Sequence, residues 1–119
     1  MTKTITLPFP PKECGSNARG HTKHLSRIRK KYKEDCLWVL KQTNLKAPET
    51  EIINIHYEFY TPTKAHHDDD NLISRIKYGR DAIADTLGIN DNCFRTQVDH
   101  IGHDPEKAGY VVVTLEEVE

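Results

Sequence analysis

The chain has few cysteines, few aromatic residues and no long hydrophobic run. Its 119 residues include three cysteines, an odd number without the Cys-x-x-Cys spacing of a zinc site or the even framework of a secreted disulfide-rich domain. No stretch is long and apolar enough to span a bilayer, and the N-terminus lacks the apolar core of a signal peptide. We therefore expect a protein of the reducing cytoplasm that is not attached to a membrane.

The net charge is also small, at −1, but the charges are separated along the chain. Residues 1–46 carry eleven Lys or Arg against three acidic residues, a net charge of +8, and residues 47–119 carry six against fifteen, a net charge of −9. Such runs are often only solvated faces, but a basic and an acidic half together indicate a polyanion on one surface and cations on another. The length predicts one domain, residues 1–119.

Hydrophobic periodicity predicts four strands and two helices. Residues 2–7 and 53–60 alternate as half-buried strands do, and residues 95–101 and 110–117 predict a closing hairpin around the turn at 104–109. The valine run at 111–113 predicts a strand that is buried on both faces. Helical spacing covers residues 25–43 and a second segment that follows residue 70 and ends at Gly88. The expected fold is α+β, a small mixed β-sheet with two main helices.

Basic residues concentrate in a loop at 12–24 and on the first predicted helix. The composition of the loop predicts mobility, and the loop either closes on a phosphate backbone or is an exposed connector. The helix carries more cations than solubility requires, which favours phosphate contacts. Trp38 is expected to pack in the core or at a dimer interface, not to stack on bases. The predicted DNA-binding residues are Lys12, Arg19, Lys23, Arg27, Lys30 and Lys31.

Three successive carboxylates, those of Asp68, Asp69 and Asp70, precede the second predicted helix. Adjacent like charges repel unless cations bind between them, and oxygen ligands suit Mg²⁺ or Mn²⁺. Helical spacing places Lys77 on the face that presents the carboxylates, where an ammonium group can stabilise charge on a metal-bound phosphate. Asp69 alternates with its neighbours in an extended segment, so we expect it to be exposed or to cap the helix.

Two further alternatives concern residues around this cluster. Asp81 lies four residues after Lys77, where it is either an intrahelical ion-pair partner or an additional metal ligand. A zinc hypothesis arises from four histidines, His66, His67, His100 and His103. The last two lie in or beside a strand, the first two point to opposite sides of an extended chain, and no cysteine stands at a matching offset. The sequence therefore favours magnesium or manganese over zinc.

The acidic motif continues along residues 68–91 in a recognisable order: Asp68-x-Asp70-Asn71-Leu72, then Lys77, then Asp81-Ala82-Ile83, and finally Gly88-Ile89-Asn90-Asp91. In this order the chain resembles the RusA family of Holliday junction resolvases, including their phage-borne relatives. The strand with its prolines at residues 4–11 and the last strand at 110–115 also occupy the places that the family gives them. The resemblance therefore covers nearly the whole chain, with one departure, Asn90, where the family has an acidic residue.

The resemblance implies a Mg²⁺-dependent endodeoxyribonuclease, with Mn²⁺ as the other candidate ion, that resolves four-way DNA junctions by paired symmetric nicks as a homodimer. The family's catalytic residues map to Asp68, Asp70, Lys77 and Asp91, and its metal ligands to the three carboxylates among them. A prophage origin would fit the resemblance. Two other classes remain open, a non-catalytic DNA-binding module and an RNA-directed metal-dependent nuclease or toxin. A pure binder has little use for carboxylates that repel phosphate.

Overall fold

The computed structural model describes residues 2–64 and 67–118, so that His66 of the zinc hypothesis lies outside the described residues. The elements in chain order are strand β1 (Thr2–Pro8), a 3-10 turn (Lys12–Cys14), helix α1 (Thr22–Lys41), strand β2 (Ile53–Thr61), helix α2 (Asp69–Leu87), a second 3-10 turn (Asp91–Cys93), and strands β3 (Phe94–His103) and β4 (Tyr110–Glu117). The predicted fold class, a small α+β fold with a mixed sheet and two main helices, is confirmed.

The four strands lie in the order β1-β4-β2-β3. β4 pairs antiparallel with both β1 and β2, whereas β3 runs parallel to β2 on its other side. The predicted hairpin of residues 95–101 with residues 110–117 is therefore wrong, because β2 lies between those two strands. β2, α2 and β3 form a βαβ unit instead, in which the helix provides the long connection that parallel strands need.

Residues 104–109 pass the end of β2 on the way from β3 to β4. The N–H of Asp104 donates to the carbonyl of Thr61 (2.8 Å), and the Asp104 carboxylate accepts hydrogen bonds from the N–H groups of Glu106 and Gly109 (2.9 Å each). These backbone hydrogen bonds lower the pKa of Asp104. The residues of this segment predicted a turn correctly, but turn residues do not encode which strand the chain pairs with next.

The sheet is covered on one face only. In β4, Val111 and Val113 are buried while Val112 between them is partly exposed, so the prediction of a strand buried on both faces is wrong. β2 alternates in the same way, and its buried side chains include Ile53, Ile55, Tyr57 and Phe59. Because successive strand residues point to opposite faces, this alternation shows that one face packs in the core and the other meets solvent.

Helix α1 begins three residues before the predicted start, where Nδ1 of His21 accepts a hydrogen bond from the N–H of Lys23 (3.2 Å). Trp38 on this helix is 67% exposed, so its predicted core position is wrong. It lies two residues from both Cys36 and Leu40, about 200° around the helix from the buried stripe. Its role at a dimer interface stays a prediction. In the part of the chain that the structure describes, no helix combines the length and hydrophobicity needed to cross a membrane.

Two glycines in the left-handed backbone region allow a matched test of packing. Gly88 ends α2 at φ 71° with nothing near its Cβ position, whereas a Cβ at Gly109 (φ 77°) would lie 2.9 Å from both Phe9 Cβ and Pro62 Cδ. We expect Gly88→Ala to lower the free energy of unfolding by about 1 kcal/mol through backbone strain, and Gly109→Ala by about 2 kcal/mol or more because overpacking is added. Urea denaturation measures both, and equal losses would contradict the packing role of Gly109.

Candidate functional site

The acidic cluster lies where the chain leaves β2 and enters α2. Asp68 is the N-cap residue, with an extended backbone (φ −81°, ψ 146°) and a side chain that makes no capping hydrogen bond. Asp69 and Asp70 occupy the first helical turn, where carboxylates interact favourably with the helix dipole. The helix begins at Asp69, close to the predicted start, and a rigid element therefore presents all three carboxylates.

An open cleft of about 390 Å³ lies at this turn. All of its lining side chains carry oxygen atoms, the donor type that Mg²⁺ and Mn²⁺ prefer; they are Ser16, Asn17, Asp68, Asp69, Asp70 and Asn71. Asp69 is exposed as expected, but it lines the same cleft as its neighbours. Successive residues are helical from Asp69 onward and so differ by about 100° in direction, not by the 180° of the extended segment that we assumed.

A second cleft, of about 570 Å³, adjoins the first and is mainly basic. Its charged and titratable lining residues are Lys12, Glu13, Arg19 and His24. Asn17 and Asn71 line both clefts, so the acidic and basic clefts meet at these two amide side chains. Lys12 and Arg19 were predicted as DNA-binding residues, and the structure brings them beside the acidic cluster.

Residues 12–15, which form one wall of the basic cleft, are anchored to α1 by Arg29. Its Nε donates to the carbonyl of Glu13 (2.9 Å) and its Nη2 to the carbonyl of Gly15 (3.1 Å). Cys14 between them is only 2% exposed, and burial raises the pKa of its thiol to about 11. Composition alone predicted a mobile loop, but hydrogen bonds and a buried side chain hold this part of it in place.

The same region is tied to α2 by two further contacts. The N–H of Ser16 donates to Oγ of Ser74 (3.2 Å), and Nη2 of Arg75 donates to the carbonyl of Pro10 (2.7 Å). The Arg75 guanidinium also lies 5.0 Å from the centre of the Phe9 ring. Arg75 is 9% exposed, and burial lowers its pKa. Both helices therefore fix the segment that separates β1 from α1, including the residues that line the clefts.

The cations of α1 that were predicted to bind DNA are at the surface. Lys23, Arg27 and Lys30 are exposed, and their spacing of four and three residues places them along one side of the helix. Lys31 is exposed as well, but its Nζ lies 3.0 Å from Oδ2 of Asp35, an exposed ion pair that contributes little to stability. The basic surface thus continues from the second cleft along α1.

Lys77 lies about 10 Å along the axis of α2 from Asp70 and lines neither cleft. Its Nζ is 5.8 Å from the centre of the Tyr78 ring, which the Arg29 guanidinium also approaches, at 5.9 Å. The ion pair between Lys77 and Asp81, one of the two alternatives that the sequence left open, is not formed. Asp81 lies one turn farther from the acidic cleft, so within one chain it is not placed as an additional ligand.

Asp91 lies near the far end of α2, away from the acidic cleft. Its Oδ2 accepts a hydrogen bond from Nη2 of Arg80 (3.4 Å), and it begins the turn before Phe94, which pairs with Ile53 at the start of β2. Arg80 lies about 15 Å along the helix axis from Asp70, and Asp91 contacts its guanidinium, so Asp91 is on the order of 20 Å from the acidic cleft. Among residues 2–64 and 67–118, no three His, Cys, Asp or Glu side chains are grouped to hold a metal ion.

The described histidines of the zinc hypothesis are dispersed. Nδ1 of His103 lies 3.0 Å from the carbonyl oxygen of Thr61, and the His100 ring packs against Tyr60 at 5.6 Å between centroids. His67 lies near the Phe9 ring at 6.4 Å. These contacts assign each ring a local packing environment.

Sequence reasoning missed three residues that line the acidic cleft. Asn71 belongs to the quoted motif but was given no role, and Ser16 and Asn17 were treated only as part of a loop. The usable signal was the Gly-Ser-Asn sequence at residues 15–17, which is typical of a tight turn. Their proximity to the carboxylates depends on tertiary contacts of Gly15, whose missing side chain lets the loop approach α2: a Cβ there would lie 3.3 Å from Cγ of Arg75.

No protein-family model matches the chain. An uncharacterized protein of Xylella fastidiosa (strain Temecula1) is 36% identical to it over 118 residues, and the match covers 95% of this chain and 75% of that protein. The description of this relative states no activity.

Proposed function

The chain belongs to the same family as the Xylella fastidiosa protein, and we propose that it is a divalent-metal-dependent endodeoxyribonuclease that resolves four-way DNA junctions. The observation that carries this proposal is the meeting of an acidic and a basic cleft at Asn17 and Asn71. The resemblance of residues 68–91 to the RusA resolvases supports the choice of branched DNA and of paired nicks. A cytoplasmic location and a prophage origin are part of the same proposal.

The acidic cleft fits Mg²⁺ or Mn²⁺ by the chemistry of its donors. Mg²⁺ usually keeps several waters and is bound by one or two carboxylates together with substrate phosphates, and Asp68 and Asp70 supply two carboxylates from one chain. A bound ion would supply charge neutralisation at the phosphate and activation of the attacking water, and Asp68 and Asp70 would hold it. Asp69 lines the cleft without an assigned ligand role.

The basic surface binds the phosphate backbone of the DNA. Lys12 and Arg19 in the second cleft, with Lys23, Arg27 and Lys30 along α1, neutralise successive phosphates and bring one phosphate to the boundary with the acidic cleft. Hydrolysis there joins a water oxygen to phosphorus and breaks one ester P–O bond, which leaves one strand end with a phosphate and the other with a hydroxyl. The side-chain amides of Asn17 and Asn71 at the boundary contact this phosphate without repelling it.

A second copy of the chain completes this proposal. Two nicks of like polarity require two active sites, and a two-fold symmetric dimer is the simplest arrangement that provides them. Asp91 is on the order of 20 Å from the acidic cleft of its own chain, so a ligand role for it requires the partner copy. Each cleft then combines Asp68 and Asp70 of one copy with Asp91 of the other.

Removal of a ligand carboxylate is the direct test of the metal site. We expect Asp68→Asn and Asp70→Asn to reduce cleavage of a labelled four-way junction more than about a hundredfold, as chelation with EDTA does. Junction binding stays equal or tightens, because a group that repels phosphate is neutralised. Glu34→Gln, which removes an exposed carboxylate from α1, is the matched control and leaves cleavage unchanged. Normal cleavage by Asp70→Asn would contradict the assignment.

The same assay separates the alternative functions. Junction binding without cleavage by the wild-type chain in Mg²⁺ or Mn²⁺ identifies a non-catalytic DNA-binding module. If the wild-type chain cleaves single-stranded RNA and leaves the four-way junction uncut, it is an RNA-directed nuclease.

Lys77 is proposed to act in the chemistry by stabilising charge on the scissile phosphate or its leaving oxygen. For Lys77→Ala we expect the single-turnover cleavage rate at saturating protein to fall by about two orders of magnitude, with junction affinity nearly unchanged. Lys46→Ala, which removes an exposed lysine from the connector between α1 and β2, is the control. A collapse of affinity in Lys77→Ala with a normal rate at saturation would make Lys77 a docking residue only.

Mixed dimers test whether Asp91 acts in the partner's cleft. Asp70→Asn and Asp91→Asn should each be inactive alone, but a mixed dimer holds one cleft with all three carboxylates. After subunit exchange we expect single-strand nicking at about a quarter of the wild-type rate, because half of the dimers are mixed and each has one complete site. No recovery in a mixture shown to contain mixed dimers would rule out the shared site.

A further inference from the structure

We propose that Asn17 is a substrate-positioning residue, whose side-chain amide donates a hydrogen bond to the phosphate that lies at the boundary of the two clefts. The inference depends on the proposed function and adds a residue to it. The observation behind it is that Asn17 lines both clefts while belonging to neither the acidic cluster nor the basic set.

The Asn17 side chain is available for this contact. The residue is exposed, and within the part of the chain that the structure describes its amide makes no side-chain hydrogen bond. It therefore has no structural partner to give up when a ligand arrives. An amide carries two N–H donors and one carbonyl acceptor, and its donors suit a phosphate oxygen.

The backbone that carries this free side chain is fixed. The N–H of Ala18 donates to the carbonyl of Gly15 (3.2 Å) and closes a turn in which Asn17 is the third residue. Ser16 in the same turn is bonded to Ser74 of α2, and Arg29 of α1 is bonded to the carbonyl of Gly15. An unpaired side chain on an anchored turn suits a positioning contact, since the backbone is already ordered and binding orders only the side chain.

The neutral charge of Asn17 suits its location between groups of opposite sign. A lysine at this point would form an ion pair with the neighbouring carboxylates and compete with the metal ion. An aspartate would add a fourth negative charge and repel the phosphate. An amide interacts with the phosphate without either effect, so it can orient the scissile group relative to the acidic cleft.

Substitutions that preserve the turn separate this role from a structural one. Gly, Asp and Ser all favour turns, so Asn17→Gly, Asn17→Asp and Asn17→Ser should keep the wild-type melting temperature. Asn17→Gly should lower the single-turnover rate at saturating protein by about one to two orders of magnitude, the effect of losing a hydrogen bond to a charged group, with junction affinity within about threefold of wild type. Asn17→Asp should be at least as slow, and Asn17→Ser, which retains a hydroxyl donor, should recover part of the rate.

Asn44→Gly is the matched control, because Asn44 is an exposed asparagine in the connector between α1 and β2. If wild type and Asn17→Gly cut the junction equally fast, this inference alone falls. A loss that lies wholly in affinity, or that follows a lowered melting temperature, also overturns it. If the wild-type chain does not cut the junction with Mg²⁺ or Mn²⁺, the proposed function falls and the inference falls with it.

Discussion

The geometry of the candidate site depends on two arginines that bind backbone carbonyls. Arg29 of α1 holds the carbonyls of Glu13 and Gly15, and Arg75 of α2 holds that of Pro10. The segment between β1 and α1 thereby becomes a wall that is shared by the two helices. Arg75 is buried, with no carboxylate within ion-pair distance in the described residues, and burial of a charge is unfavourable unless it is compensated. The unfavourable burial of the Arg75 charge occurs where its hydrogen bond fixes the segment that lines both clefts.

The separation of charge along the sequence is only partly a separation in space. The basic half supplies the second cleft and the exposed side of α1, as the net charge suggested. The acidic half is dispersed: Asp85 pairs with Lys33 at 2.8 Å, Asp91 with Arg80, and Asp104 accepts hydrogen bonds from its own turn. Among the described residues, three successive carboxylates stay together at residues 68–70. The surface that faces DNA in the proposed function is therefore mainly positive around one small acidic cleft.

Local patterns predicted the helices, strands and turns well, and the errors concern how elements pair and which side chains are buried. The alternation of β2 and the left-handed Gly88 at the end of α2 follow from the side-chain period and from glycine geometry. The position of β3 in the sheet does not follow from local patterns. The turn at 104–109 is equally compatible with a hairpin and with a connection that passes one intervening strand. Asp91 was grouped with the acidic cluster because both belong to one motif. In a βαβ unit, however, residues before and after the helix lie at opposite ends of the sheet.

The length of α2 has a consequence for how far apart two cuts can be made. In the proposed dimer, each acidic cleft faces the far end of the partner's helix, so the two helices run antiparallel and the clefts are separated by about the distance from Asp70 to Asp91 in one chain, on the order of 20 Å. The length of α2 then sets the distance between the two scissile phosphates. One added turn would lengthen it by about 5.4 Å and move both cuts, whereas insertions in the loops at the edge of the sheet would leave their spacing unchanged.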